Sequence, residues 1–318
     1  MKRFIIKLFY FIGPFFLIVG LIEFGLRYAI PNDYIYKKAC LDNNASRITT
    51  LILGSSHTYY GLNPEYFDPG TYNAAHVAQT LYYDYAIYKK YKKQLTNLKT
   101  IIIPISLFTF YSDIKKEKQQ PFLKNYSLYY NFDKTSFLSY FEITNNRSPI
   151  NFKQIASLIT SKDANIHCTT SGWGFINKWR KTPADHLLFL KKSGKIASKR
   201  HTRDIHSKLA QELYTHNLSI LESLITDCKR HNIALLFFTP PAYQSYRDDI
   251  DKKQLQHTLK TIEKLVAKQQ HCRYINLLDD PRFITDDFYD ADHLSASGAK
   301  KLSAYLKECT TNILNKKL

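Results

Sequence analysis

Three side chains of this 318-residue chain have the types needed for serine-based acyl transfer: Ser56, Asp290 and His293. Ser56 lies in Leu51-Ile52-Leu53-Gly54-Ser55-Ser56-His57, where an apolar run leads into small residues able to turn sharply. In open α/β sheets, ligands bind beyond the carboxyl ends of the strands, where such a turn would expose its serine. Read alone, the stretch describes equally well an ordinary strand-to-loop junction with serines as turn residues. The second stretch is Phe288-Tyr289-Asp290-Ala291-Asp292-His293-Leu294-Ser295. A carboxylate three residues ahead of a histidine can fold back onto one ring nitrogen while the other points outward, the orienting half of a triad. Asp290 has that spacing, whereas Asp292 adjoins the histidine and is expected to point elsewhere. By itself, such a cluster also describes a helix N-cap beside a surface histidine. Together the two stretches say more, because a serine hydroxyl attacks poorly at its own pKa and needs a base such as His293.

The elements that must position these groups alternate between strand and helix. Thr49 to Gly54 reads as a first strand, Thr71 to Ala74 as a short second and Thr100 to Ile105 as a third. Ile233 to Phe238, closed by Thr239-Pro240-Pro241, and Arg273 to Leu277 complete the set, since proline cannot continue a ladder. Helical spacing of apolar residues runs from Gln79 to Tyr91, Ile205 to Arg230, Ile250 to Gln269 and Ser295 to Leu314. Short strand–helix links imply a parallel sheet sandwiched between helices. In such a sheet, Ser56 after the first strand and His293 after the last fall on the same rim.

Residues 1–30 read as a membrane anchor. Lys2, Arg3 and Lys7 precede an uncharged apolar run from Leu8 to Ile22, and with its flanks the segment reaches the ~20 residues needed to cross a bilayer. No small-residue cleavage site follows it, and Gly13-Pro14 predicts a kink of the kind membrane helices tolerate. The short basic amino terminus predicts a cytoplasmic end and an external domain. Residues 31–46 read as a linker, 47–106 and 204–318 as the α/β domain, and 107–203 as an insertion serving as a cap or a substrate or partner surface. That interval is rich in Tyr, Phe, Asn, Ser and Lys, and holds Trp173, Trp179 and the basic stretch Lys191 to Arg203.

Composition narrows the classes. A hydrophobic share of 44% excludes a disordered chain. Lys and Arg number 45 against 27 Asp and Glu, a formal charge of +18 that favours anionic partners. The cysteines Cys40, Cys168, Cys228, Cys272 and Cys309 show none of the close pairs of zinc sites, and a Cys228–Cys272 disulfide would require distant segments to meet. No nucleic-acid recognition module is visible, so nucleic acid is not expected as a partner.

Gly54-Ser55-Ser56 after a first strand, Asn73 after the second and Asp290-x-x-His293-Leu294 before a final helix resemble the SGNH (GDSL-like) hydrolase superfamily. In particular they resemble its membrane-anchored envelope branch, which includes the teichoic-acid D-alanyl-transfer and alginate O-acetylation proteins. The resemblance implies a three-layer α/β/α, flavodoxin-like parallel sheet, with Ser56 as nucleophile, His293 as base and Asp290 as its partner. It covers a little over half the chain. The position of the second-block glycine falls in Asn73 to Gln79, which contains none, so a backbone N–H of Ala75 or Ala78 is the expected oxyanion donor. Asn73 is a further candidate, and Ser106 is the nearest polar residue to the missing third-block asparagine. The activity implied is a serine acyltransferase or esterase acting on O-acyl groups, O-acetyl foremost, of an envelope glycan through an acyl-serine. No cofactor or metal is implied. The expected partners are the cytoplasmic membrane, the glycan and a membrane acyl-donor protein. The alternative expectation is a catalytically degenerate SGNH-like protein that binds glycan or acts as an envelope scaffold.

Overall fold

The computed structural model describes residues 2–25, 32–117, 120–133, 166–176 and 182–315. The expected helix end at Leu26 to Pro31, Trp179 and residues 134–165 of the expected insertion lie outside the described residues. The chain divides into two compact units, Met1–Ala39 with Lys118–His167, and Cys40–Glu117 with Cys168–Leu318. Of the interval 107–203, residues 107–117 and 168–203 fall in the second unit and Lys118–His167 in the first.

The first unit contains α1 (Lys2–Phe24), a helix of 23 residues that is long and apolar enough to cross a membrane. At 1.5 Å per residue it spans roughly 35 Å, against about 30 Å for a hydrocarbon core. Phe4, Phe9, Phe11, Phe15, Phe16 and Leu21 are exposed all round it, as on a helix made for an apolar surrounding. The expected linker is instead helical: α2 (Asp33–Asn44) starts where the Asn32 side chain accepts the N–H groups of Tyr34 and Ile35, both at 3.0 Å. Tyr34, Lys37 and Leu41 are buried at helical spacing along it, a pattern that overrides its polar composition. Within this unit Tyr34 meets the Tyr126 ring of α5 (Gln120–Tyr129) edge-on at 5.4 Å.

The second unit is a three-layer α/β/α body. Its strands β1 (Thr50–Ile52), β2 (Thr71–Asn73), β3 (Thr100–Pro104), β4 (Ala234–Thr239) and β5 (Cys272–Asn276) form one parallel sheet in the order β2-β1-β3-β4-β5. This is the flavodoxin order, whose direction reverses between β1 and β3 and so opens a crevice beyond their carboxyl ends. Ile52, Ile102, Ala234, Leu236 and Phe238 face a core closed by Leu302, Leu306 and Ile313 of α10 (Ala296–Asn315). By alternation Leu51, Ile101, Leu235 and Phe237 face the opposite side. There α4 (Leu81–Tyr91) packs on α7 (Lys208–Arg230), which in turn packs on β4.

Two further helices shape the rim. Thr182 caps α6 (Pro183–His201) by accepting the Asp185 N–H at 3.1 Å, with Pro183 at the first position, a start signal inside the interval expected to be an insertion. This helix packs on α8 (Gln244–Asp249), so closely at Gly194 that a Cβ there would come within 2.3 Å of Ser245 Oγ. Helix α9 (Lys252–Val266) packs on β5.

At the crevice β1 turns at Gly54, whose φ of +117° suits only glycine and whose added Cβ would lie 2.4 Å from Pro104 at the end of β3. Gly54→Ala is therefore expected to destabilise the unit by about 2–4 kcal/mol through strain and overpacking. The thermal unfolding midpoint of the full chain in detergent checks this, and an unchanged midpoint would show that the turn can relax.

Candidate active site

The turn after Gly54 runs into α3 (Ser56–Gly61), a short helix whose first residue is Ser56. The N–H groups of Thr58 and Tyr59 both close onto the Ser55 carbonyl, at 3.1 and 2.9 Å, which fixes the first turn and holds the Ser56 side chain on the rim. Helix α3 is held at its far end by Asn73, which donates through Nδ2 to the Thr58 and Leu62 carbonyls, each at 2.8 Å. Asn73 Oδ1 also accepts the Ala75 N–H at 3.0 Å. Both amide hydrogens of Asn73 and the N–H of Ala75 are thus engaged, which corrects the expectation that either serves an oxyanion. Asn73 is instead the clamp that joins the end of β2 to the end of α3.

Across the crevice, residues 289–293 form a tight loop closed by the Phe288–Leu294 bridge and by the Tyr289 N–H on the His293 carbonyl at 2.9 Å. Asp290 organises this loop. Its Oδ1 accepts the backbone N–H groups of His293 at 2.8 Å and Asp292 at 3.1 Å, and the carboxylate lies 2.9 and 3.1 Å from His293 Nδ1. With Nδ1–H donated to the carboxylate, the lone pair of Nε2 faces Ser56 Oγ at 2.8 Å. The structure thus brings Ser56, His293 and Asp290 together in one hydrogen-bonded chain, the geometry of a serine–histidine–aspartate triad.

Asp292 also turns toward the site, against the expectation that it points away. It is buried and sits 2.8 Å from Arg200 Nη2, 3.6 Å from His57 Nε2, 3.7 Å from His201 Nε2 and 3.7 Å from His293 Nδ1. Burial opposes its charge, but His293, His57 and His201 hold its carboxyl well below the usual range. His57 and His201 lie on the other side of this balance, where burial dominates and lowers their pKa, keeping both rings neutral near pH 7. For His293 burial again acts downward, but the charges of Asp292 and Asp290 and the Asp290 hydrogen bond outweigh it and raise the pKa to about 9.

Ser106, the expected stand-in for the third-block asparagine, lies 2.7 Å from His57 Nδ1 and donates its N–H to Thr109 Oγ1 at 2.8 Å. With Nε2–H of His57 directed at Asp292, the Ser106 hydroxyl donates to Nδ1, so it has no hydrogen left for an oxyanion. Ala78 remains available. Its φ of +60° puts a partly exposed residue in the left-handed region, and its N–H makes no hydrogen bond with another described residue. The Ser56 N–H, at the head of α3, is likewise unbonded among the described residues. This donor was missed in the sequence, although a serine opening a helix after a strand carries its signal.

His57, Asp292 and His293 also have the spacing of a metal-ligand group. Their donors argue against that use, because Arg200 already provides the cation on Asp292 and His293 Nδ1 is bound to Asp290. Aromatic groups wall the site: Tyr60 stands edge-on to His293 at 5.7 Å, and Trp173 holds the Tyr60 carbonyl through Nε1 at 2.7 Å. Cys228 and Cys272 form no disulfide.

Fold and site together define a doubly wound α/β protein with a serine–histidine–aspartate triad at the carboxyl rim of its sheet. The chain belongs to the family described as "Protein of unknown function (DUF1574)", which matches residues 32–306. No curated protein matches it.

The His293 ring is expected to titrate near pH 9 by NMR, with the midpoint moving down in Asp292→Asn, and a midpoint near 6.5 in the parent chain would contradict this charge balance. Because the folded value exceeds the ordinary one, the protonated ring stabilises the fold fully below about pH 6.5, and this contribution is lost as pH rises through about 9.

Proposed function

We propose that this chain is a membrane-anchored serine acyltransferase or esterase of SGNH type, acting outside the cytoplasmic membrane on O-acyl groups, O-acetyl foremost, of an envelope glycan. The observation that carries the reading is the hydrogen-bonded sequence Ser56 Oγ, His293, Asp290 at 2.8 and 2.9 Å. His293 Nε2 takes the Ser56 proton as Oγ adds to the ester carbonyl, and the resulting imidazolium is stabilised by Asp290 and Asp292. The N–H groups of Ser56 and Ala78 are the donors available for the oxyanion. His293 then protonates the departing alcohol, leaving an acyl-serine. A sugar hydroxyl or water, deprotonated in turn by His293, adds to the acyl carbon and releases Ser56. Support for the location comes from α1 and from the +18 charge facing an anionic layer. A membrane protein would supply the acyl group.

A fluorophosphonate probe on the full chain in detergent is expected to label Ser56, with labelling lost in Ser56→Ala and reduced about 10³-fold or more in His293→Ala. The labelling rate is expected to rise with pH up to about 9, as the imidazole loses its proton. An absence of labelling at any pH would remove the catalytic reading.

The engagement of Asn73, Ala75 and Ser106 elsewhere favours a second reading, a non-catalytic glycan-binding or scaffolding protein of the envelope. Under that reading, Ser56→Ala would leave the cellular phenotype of the protein intact.

A further inference from the structure

Behind the nucleophile turn lies a small, half-enclosed cavity that the chemistry above does not use. Ser55, Thr80, Asp84, Ser106, Thr109 and Ser112 are among the residues lining it, so its wall is rich in oxygen. Asp84 is a buried carboxylate, 3% exposed, with no cationic partner among the described residues. It accepts the Gly54 N–H and a Gln79 Nε2–H, both at 2.6 Å and both on Oδ1, while no hydrogen bond from a described residue reaches Oδ2.

Ser55 and Thr80 occupy the N-cap positions of α3 and α4, where a hydroxyl ordinarily accepts an N–H of the first turn. Neither caps its helix. Both are more than nine-tenths buried, at 4% and 6% exposed, and neither hydroxyl has a hydrogen-bond partner among the described residues. Buried polar groups are rarely left unbonded. Here two capping hydroxyls forgo their helices and line the same cavity as an uncompensated carboxylate. Burial also raises the Asp84 carboxyl to about 7, as expected of a negative charge that lacks a counter-ion.

We propose that Asp84, Ser55 and Thr80 form a binding site for a monovalent alkali cation, sodium or potassium, which braces the nucleophile turn. Hard oxygen donors select against the softer transition metals. A single carboxylate matches a single positive charge, whereas calcium sites gather six to eight oxygens and magnesium retains several waters. The bracing follows from connectivity: the carboxylate that holds the ion through Oδ2 holds the Gly54 N–H through Oδ1, two residues before Ser56. The site does not depend on Ser56 being catalytic.

The test is the thermal midpoint of the full chain in detergent, measured in sodium, potassium and tetramethylammonium chlorides at constant ionic strength. Tetramethylammonium is too large for the cavity. The midpoint is expected to rise with sodium or potassium concentration in the parent chain and to be insensitive in Asp84→Asn. Thr80→Val, which keeps the shape and removes one ligand oxygen, is expected to require roughly five- to tenfold more cation for the same shift. Equal midpoints in all three salts would overturn the proposal, as would a response to calcium alone. Should Asp84→Asn fail to fold, Thr80→Val decides, since an unaltered cation response in that variant would overturn the assignment.

Discussion

The hydrogen bond from the Gly54 N–H to the buried Asp84 carboxylate, 2.6 Å long, holds the turn on which the rest of the site depends. A parallel strand ends with its next N–H and carbonyl directed away from the ladder, and a buried end needs a partner for them. Asp84 provides that partner from the first turn of α4, the helix that follows β2, so the β1 turn and the β2–α4 connection lock each other. The positive φ at Gly54 and the contact with Pro104 then leave little latitude for the path into α3. Ser56 is placed by backbone constraints that involve neither His293 nor Asp290.

The other half of the site is built by a different means. Asp290 gathers two backbone N–H groups and one imidazole nitrogen, so the loop geometry and the histidine orientation come from the same carboxylate. Asp292 adds a second negative charge at 3.7 Å from the same imidazole. Two carboxylates around one ring explain why His293 stays basic despite its burial, while at His57 and His201 burial outweighs the single carboxylate of Asp292 and both stay neutral. Arg200 and the imidazoles together prevent Asp292 from being a buried, unpaired charge, a condition that would cost several kcal/mol.

The triad was legible in the sequence because each part is local. A run of apolar residues ending in Gly54-Ser55-Ser56 specifies strand and turn, and the spacing of Asp290 and His293 specifies a loop that folds back. The parallel sheet was legible for the same reason, from continuous apolar runs separated by helical periods. Asp292 was not legible, because the direction of a side chain next to the histidine is set by Arg200 and His57, which arrive from remote segments. The positions of Asn73 and Ser106 along the chain suggest oxyanion donors, yet what each can donate depends on which groups surround it. Asn73 meets two carbonyls at the end of α3, and Ser106 meets an imidazole. The helices α2 and α6 are hard to see in the sequence because polar and basic residues dilute their apolar periodicity, although Asn32, Thr182 and Pro183 mark where they begin.

Helix α6 shows how charge and packing are combined at the rim. Its buried face carries Ser193, Gly194, Ala197 and Ser198, side chains small enough for α8 to approach closely. That close approach fixes the rotation of the helix, and its exposed face then carries Lys191, Lys192, Lys195 and Lys199. The last turn holds Lys199, Arg200 and His201, cations or potential cations where the helix dipole is negative. Arg200 thereby meets Asp292 from a rigid backbone, and its guanidinium loses less freedom in the pairing than it would on a loop. The same helix thus carries both the glycine that lets it pack closely on α8 and the arginine that meets Asp292 in the 289–293 loop.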